Sequence, residues 1–132
     1  MNPAVQAASV VAWKDEAHVI ENRRLYAEKF DQVIALLGEV TPVSAPEAAF
    51  YLWLCTPVSD VEFTRTLHTQ HSVTVLPGSY LAREARGINP GRNFVRIALV
   101  PPLAECLEAA RRVRAYFATL QETPQPAIKA HP

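Results

Sequence analysis

Proline placement constrains this chain more than any other feature. The 132 residues hold eleven prolines and only four glycines. Proline fixes φ and has no backbone N–H, so it ends helices and is excluded from inner strands. Pro42 and Pro46 therefore mark a loop over 41–47, and Pro57 closes the apolar run 48–54 (AAFYLWL). Pro77-Gly78 stops the β-branched run 72–76, and Pro90 lies in an irregular stretch over 79–92 with one short helical turn expected at 81–86. Pro101-Pro102 opens the last helix, where proline is tolerated in the first turn. Upstream, Val19, Tyr26, Phe30, Val33 and Leu37 share one face of a 3.6-residue period, so 15–37 reads as a long helix. Gly38 stands where a left-handed residue would end it. Such a helix spans about 35 Å at ~1.5 Å per residue, which suits a connector between two bodies.

The resulting order is α-β-α-β-β-α. It predicts an α/β fold, a two-layer sandwich of a three- to four-stranded sheet with helices mainly on one face. The run 48–54 is apolar on both alternating faces and reads as a strand covered on both sides. The first two strands, joined by a helix, read as parallel through a right-handed crossover. Residue 93–100 (NFVRIALV) forms the third strand, and Leu103, Cys106, Leu107, Ala110, Val113 and Phe117 form the core stripe of the last helix. Ser59 or Asp60 caps the helix between the first two strands. The Ala/Val-rich residues 1–13 read as a helix end whose packing partner lies elsewhere, and 121–132 as a frayed tail.

Half the chain (49%) is hydrophobic, which rules out wholesale disorder. Thirteen basic residues balance thirteen acidic ones, which argues against a general nucleic-acid or membrane-surface binder. No apolar run is long enough for a transmembrane helix, and no secretory leader is readable. Cys55 and Cys106 read as buried free thiols of a cytoplasmic protein.

Arg96 is the residue most suggestive of chemistry. It sits mid-strand between Val95 and Ile97, and no acid occurs from 93 to 100. A buried guanidinium without a partner costs several kcal/mol (about 3–5 for a broken buried pair), so an anion must face it. One reading is a ligand carboxylate held bidentately by the planar fork. The others are an internal acid such as Glu47 or Glu84 folding over it, or an edge strand that exposes it to water. At 75–80 (VLPGSY) a tight turn sets the hydroxyls of Ser79 and Tyr80 at the end of the second strand, with Tyr80 a candidate substrate contact; an ordinary turn is the alternative. Gly87–Gly91 lacks the lysine and following helix of a phosphate-binding loop. His68 and His71 are a metal pair without further ligands, so no metal site is expected. Arg23 falls on the apolar stripe of the long helix and reads as snorkelling, or as pairing with an acid of a neighbouring body. Only three lysines occur, Lys14, Lys29 and Lys129, and none lies in an apolar context suited to Schiff-base work. On these residues alone the chain is a carboxylate-binding module rather than a complete enzyme.

The stretch Val73–Tyr80, then Gly87, then Asn93–Val100, resembles the C-terminal small domain of fold-type-I pyridoxal-phosphate aminotransferases. Ala49–Trp53, Leu76–Val100 and Ala12–Phe30 are similar to the succinyldiaminopimelate aminotransferase branch. The resemblance spans about residues 5–119, tighter in the second half. It implies that Arg96 binds the substrate α-carboxylate and that 14–120 is the small domain, with 15–37 as connector helix, 1–13 a remnant of the cofactor domain and 121–132 a flexible tail. It implies transamination between an amino acid and a 2-oxo acid, with N-succinyl-LL-diaminopimelate and 2-oxoglutarate in lysine biosynthesis as the specific pair, in a cytoplasmic homodimer. In that family the Schiff-base lysine and the pyridoxal 5'-phosphate site lie upstream of anything in this chain. The expectation is therefore a truncated or excised C-terminal part, with Met1 an internal start, no catalytic or cofactor-binding residue of its own, and no activity alone. A stand-alone regulatory module that binds amino acids or other carboxylates, and a non-functional gene fragment, are the competing readings.

Overall fold

The structure, a computed structural model, describes residues 2–122. Its elements are α1 (Pro3–Lys14), α2 (Ala17–Leu37), β1 (Tyr51–Cys55), α3 (Asp60–His71), β2 (Leu76–Pro77), α4 (Gly78–Leu81), β3 (Phe94–Ala98) and α5 (Leu103–Glu122). The expected order is present, with α4 as one helical turn and the N-terminal residues as a separate helix. Two polar side chains set the N-terminal boundaries. The Asn2 carboxamide accepts from the Ala4 N–H at 2.9 Å and starts α1. Asp15 Oδ1 accepts from the Ala17 N–H at 3.2 Å and restarts the chain as α2. The 21 residues of α2 reach about 31 Å at ~1.5 Å per residue. The tail expected at 121–132 is α5 as far as Glu122; the rest of it, with Lys129 and His131, lies outside the described residues.

Strand order in the sheet is β1-β3-β2, and β3 is antiparallel to both neighbours. Thus β1 and β2 do run the same way, but they do not pair: the last strand in sequence inserts between them. In β1–β3, Leu52 faces Ile97, Trp53 faces Arg96 and Leu54 faces Val95; in β2–β3, Leu76 faces Arg96. The second strand is shorter than the 72–76 run suggests. Ser72 takes a left-handed conformation (φ 54°) at the end of α3, and pairing begins only at Leu76. Pro77 is tolerated because β2 is an edge strand.

Strand alternation sorts the side chains into two faces. Leu52, Leu54 and Val95 are fully buried against the helical layer. There Phe30, Val33 and Leu37 of α2, Phe63 and Leu67 of α3, and Val113, Tyr116 and Phe117 of α5 complete one core. The opposite face holds Tyr51, Trp53, Cys55, Phe94, Arg96 and Ala98, all half-buried or exposed. The expected covering of β1 on both sides is therefore not met within the described residues: no helix of the core covers Trp53, which is 39% exposed. For the same reason Cys55 is exposed, whereas Cys106 is buried and its thiol donates to the Pro101 carbonyl at 3.3 Å. Burial pushes the Cys106 thiol pKa up, against the nearby charge of Lys29.

Two further local expectations are corrected. Gly38 is right-handed (φ −61°), because the last turn of α2 continues into Val40 N–H and Thr41 N–H bonds to the Leu37 carbonyl. The short helical turn lies at Gly78–Leu81 rather than 81–86. Residues Ala85–Ile88 instead make a tight two-bond turn, with Arg86 (φ 53°) and Gly87 (φ 76°) both left-handed. Helix α1 buries no residue, and Val5, Val10, Val11 and Trp13 are exposed on it. Among the described residues no helix is long and apolar enough to cross a membrane.

The start of α4 crosses the strap 89–93 at two glycines. A Cβ on Gly91 would run into the Gly78 carbonyl, and one on Gly78 would lie 2.7 Å from the Phe94 carbonyl and 3.0 Å from the Trp53 ring. Both obstacles are largely backbone, so neither site relaxes cheaply. Gly91→Ala is expected to destabilise the chain by about 1–3 kcal/mol, as overpacking does. Urea unfolding measures it, and an unchanged midpoint would show that the two segments do not cross so closely.

Candidate functional site

The candidate site is the open face of the sheet around Arg96. Central-strand placement excludes the edge-strand alternative for this residue. Arg96 is half-buried, and its Nε is buried with no hydrogen-bond partner. None of the ion pairs among the described residues includes it. Glu47 and Glu84, the two internal acids weighed as partners, are both exposed and leave it unpaired. The guanidinium carbon stands 5.3 Å from the centre of the Tyr51 ring. Its other neighbours on that face are set by register and alternation: Trp53 across β1, Leu76 across β2, and Phe94 and Ala98 two residues away on β3. A cation is thus framed by apolar groups, with one buried donor unsatisfied. A planar anion on the open face would pair the charge that no acid of the described chain pairs.

Three supports hold β3 in place. At its C-terminal end, Lys29 of α2 donates to the Leu99 and Val100 carbonyls at 3.0 and 3.2 Å, over the Tyr26 ring at 4.8 Å. On the open face, the Trp53 and Phe94 rings stack at 5.7 Å and 14°. At its N-terminal end stands Asp60, a role the sequence reading did not find. Asp60 is 3% exposed, and its two oxygens accept from the Ser79 N–H (2.9 Å) and the Asn93 N–H (3.2 Å). One carboxylate thus joins the start of α3, the turn after β2 and the residue before β3. Asn93 is left-handed (φ 62°), a conformation Asn tolerates better than most residues, and this turns its N–H toward Asp60. An acid in the first turn of a helix ordinarily signals a cap or a dipole contact, so the sequence concealed this longer reach. The Asn89 side chain completes the tie: it donates to the Ser79 carbonyl and accepts from the Gly91 N–H, both at 2.9 Å.

Tyr80 lies on α4, just beyond β2, and is 73% exposed, with no hydrogen bond to Arg96. Arg23 is exposed and lines a groove of about 640 Å3 between α2 and residues 45–49, away from the Arg96 face. His68 bonds Thr74 Oγ1 at 3.1 Å and His71 packs on the Tyr116 ring, so the two do not converge. Among the described residues no three His, Cys, Asp or Glu side chains are grouped to hold a metal. The described lysines do not fit a pyridoxal-phosphate site either. Lys29 is committed to two carbonyls, and Lys14 is exposed at the end of α1.

Residues 2–113 match the family described as "Aminotransferase class I and II". The LL-diaminopimelate aminotransferase of Maridesulfovibrio salexigens is 32% identical over 114 residues, which cover 83% of this chain and 28% of that protein. Among solved structures, an aminotransferase from Neisseria meningitidis superposes with a TM-score of 0.84 at 47% identity, over 89% of this chain and 30% of that one. A probable N-succinyldiaminopimelate aminotransferase from Thermus thermophilus superposes with a TM-score of 0.56 at 41% identity, over 70% of this chain and 24% of that one. The chain thus spans roughly a quarter to a third of the length of these relatives.

Burial pushes the Asp60 carboxyl up, but the Ser79 hydroxyl and amide and the Asn93 amide outweigh it and hold the group below its ordinary pKa. A lowered folded pKa gives stability that is fully present above the unfolded value, about 3.9, and is lost as pH falls through the folded one. Asp60→Asn is expected to cost about 1–3 kcal/mol at neutral pH, because one amide is left facing a donor. The gap to the parent chain should narrow on acidification below about pH 4. Urea unfolding across pH checks both, and a gap independent of pH would remove the ionised carboxylate from the account.

Proposed function

The chain belongs to the class I and II aminotransferases, and from that premise we propose that it supplies the substrate-binding part of such an enzyme. Arg96 is the residue that grips the α-carboxylate, of the amino acid in one half-reaction and of the 2-oxo acid in the other. One observation carries this reading. The guanidinium on the central strand has a buried Nε with no partner and no acid of the described chain against it. A carboxylate is the planar anion that meets its fork with two parallel hydrogen bonds. Tyr80, exposed beside the end of β2, is assigned a secondary contact to the same substrate.

Residues 14–120 are the small domain in this proposal, and 1–13 belong with a cofactor domain. The apolar side chains that α1 leaves exposed support that division. Pyridoxal phosphate supplies the electron sink of transamination when bound, and in this reading residues outside this chain hold it. The chain's own part is to bind and orient: Arg96 fixes the carboxylate, and the aromatic frame of Tyr51, Trp53 and Phe94 keeps water from competing for it. The specific pair proposed is N-succinyl-LL-diaminopimelate and 2-oxoglutarate, in lysine biosynthesis, in a cytoplasmic homodimer. Support for a diaminopimelate substrate comes from the names of two relatives, an LL-diaminopimelate aminotransferase and a probable N-succinyldiaminopimelate aminotransferase, of which the second carries the succinyl group. The isolated 132 residues are proposed to have no turnover.

In the enzyme joined to its cofactor domain, Arg96→Lys is expected to raise KM for both the amino acid and the 2-oxo acid by about 10- to 100-fold. That is the loss of a charge-assisted bidentate contact, about 1.5–3 kcal/mol. Cofactor absorbance should be unaltered. Steady-state kinetics test this, and unchanged constants would make Arg96 structural only. The purified isolated chain, mixed with pyridoxal phosphate and then freed of unbound cofactor by gel filtration, should show no visible aldimine band removable by borohydride; a stoichiometric band would refute the proposed division of labour.

A further inference from the structure

The guanidinium of Arg96 needs something to hold it when no carboxylate is bound, and one group is placed to do so. Trp53 lies directly across the register from Arg96, but its ring is stacked on Phe94 and its edge fills the space beside Gly78. Leu76, on the other side, is aliphatic and 41% exposed. Tyr51 is diagonal to Arg96, opposite Ala98, whose small side chain leaves the ring room to lean along the strand. Its ring centre is 5.3 Å from the guanidinium carbon, within the range of a cation–π contact. The ring is itself braced edge-on by Phe50, at 5.4 Å and 89°.

We infer that Tyr51 is the positioning residue of Arg96, holding the guanidinium by its ring face in the absence of ligand. The inference rests on the reading of Arg96 as a carboxylate clamp and adds how the clamp is kept ready. An internal acid would hold the cation more tightly, but it would occupy the donors and cancel the charge a ligand must meet. A ring attracts the cation through its quadrupole and accepts none of its in-plane N–H bonds. What this arrangement leaves behind is a guanidinium in no ion pair among the described residues, its charge spared for a ligand. The ring, not the hydroxyl, carries the role.

The test uses the 132-residue chain labelled with 15N-arginine. The Arg96 Nε–H resonance, identified by its loss in Arg96→Lys, should show cross-relaxation to the Tyr51 ring protons in the parent chain. Tyr51→Phe should leave that resonance shifted by the ring current. Tyr51→Leu should abolish the shift while the backbone amide spectrum stays dispersed. Titration with 2-oxoglutarate should give a dissociation constant within about twofold of the parent for Tyr51→Phe, and about three- to thirtyfold weaker for Tyr51→Leu. Absence of cross-relaxation in the parent chain would overturn the inference without any variant. So would an Arg96 resonance or affinity indifferent to Tyr51→Leu. If the ring dependence is present but 2-oxoglutarate does not bind the parent chain, the positioning contact stands, and the carboxylate reading is decided separately by the Arg96→Lys kinetics of the joined enzyme.

Discussion

Everything in this molecule turns on the period-two alternation of one central strand. In β3, Val95 points into the helical layer while Arg96 points the other way, and the antiparallel register with β1 and β2 leaves no freedom to exchange them. A slip of one residue would bury the guanidinium among Leu52, Leu54 and Phe63, at a cost no nearby acid could offset. The helices therefore do two things at once. They cover one face of the sheet, leaving only Ile97 half-buried there, and by doing so they assign the other face to Arg96 and its aromatic frame.

The connections are arranged to keep that strand fixed at both ends. Lys29 reaches from α2 to the two carbonyls after β3, and Asp60 reaches from α3 to the residue before it. Between them Asn89 and the glycine crossing bind the 89–93 strap to the turn after β2. Side-chain bonds to loop backbone are stiff and directional, so a strand of five residues in a three-stranded sheet can still present one side chain reproducibly. The same carboxylate tie places Tyr80 and Arg96 on segments that cannot drift apart independently.

How much of this was legible in the sequence follows from the range of the forces involved. Helices α2, α3 and α5 and the strands could be read because periodicity and proline breaks act within a few residues. Arg96 stood out because a charge in an apolar strand is costly wherever that strand goes. Strand order was not legible: a helical crossover between the first two strands suggested neighbours, but the insertion of β3 depends on pairing across some forty residues. The exposure of Cys55 and Trp53 was missed because an apolar run looks the same whether its second face meets a helix or lies open. Either Ser59 or Asp60 suits a local cap, the commoner use of such residues there, and the partners that Asp60 holds, Ser79 and Asn93, are distant in sequence.

An anion of the substrate completes what the open face of the sheet leaves unsatisfied. The most direct measurement is a crystal structure of the enzyme with its amino-acid substrate bound. The α-carboxylate should lie in the plane of the Arg96 guanidinium, with two N–O distances of about 2.7–2.9 Å. A carboxylate bound elsewhere, with Arg96 still unengaged or turned to a protein acid, would contradict it.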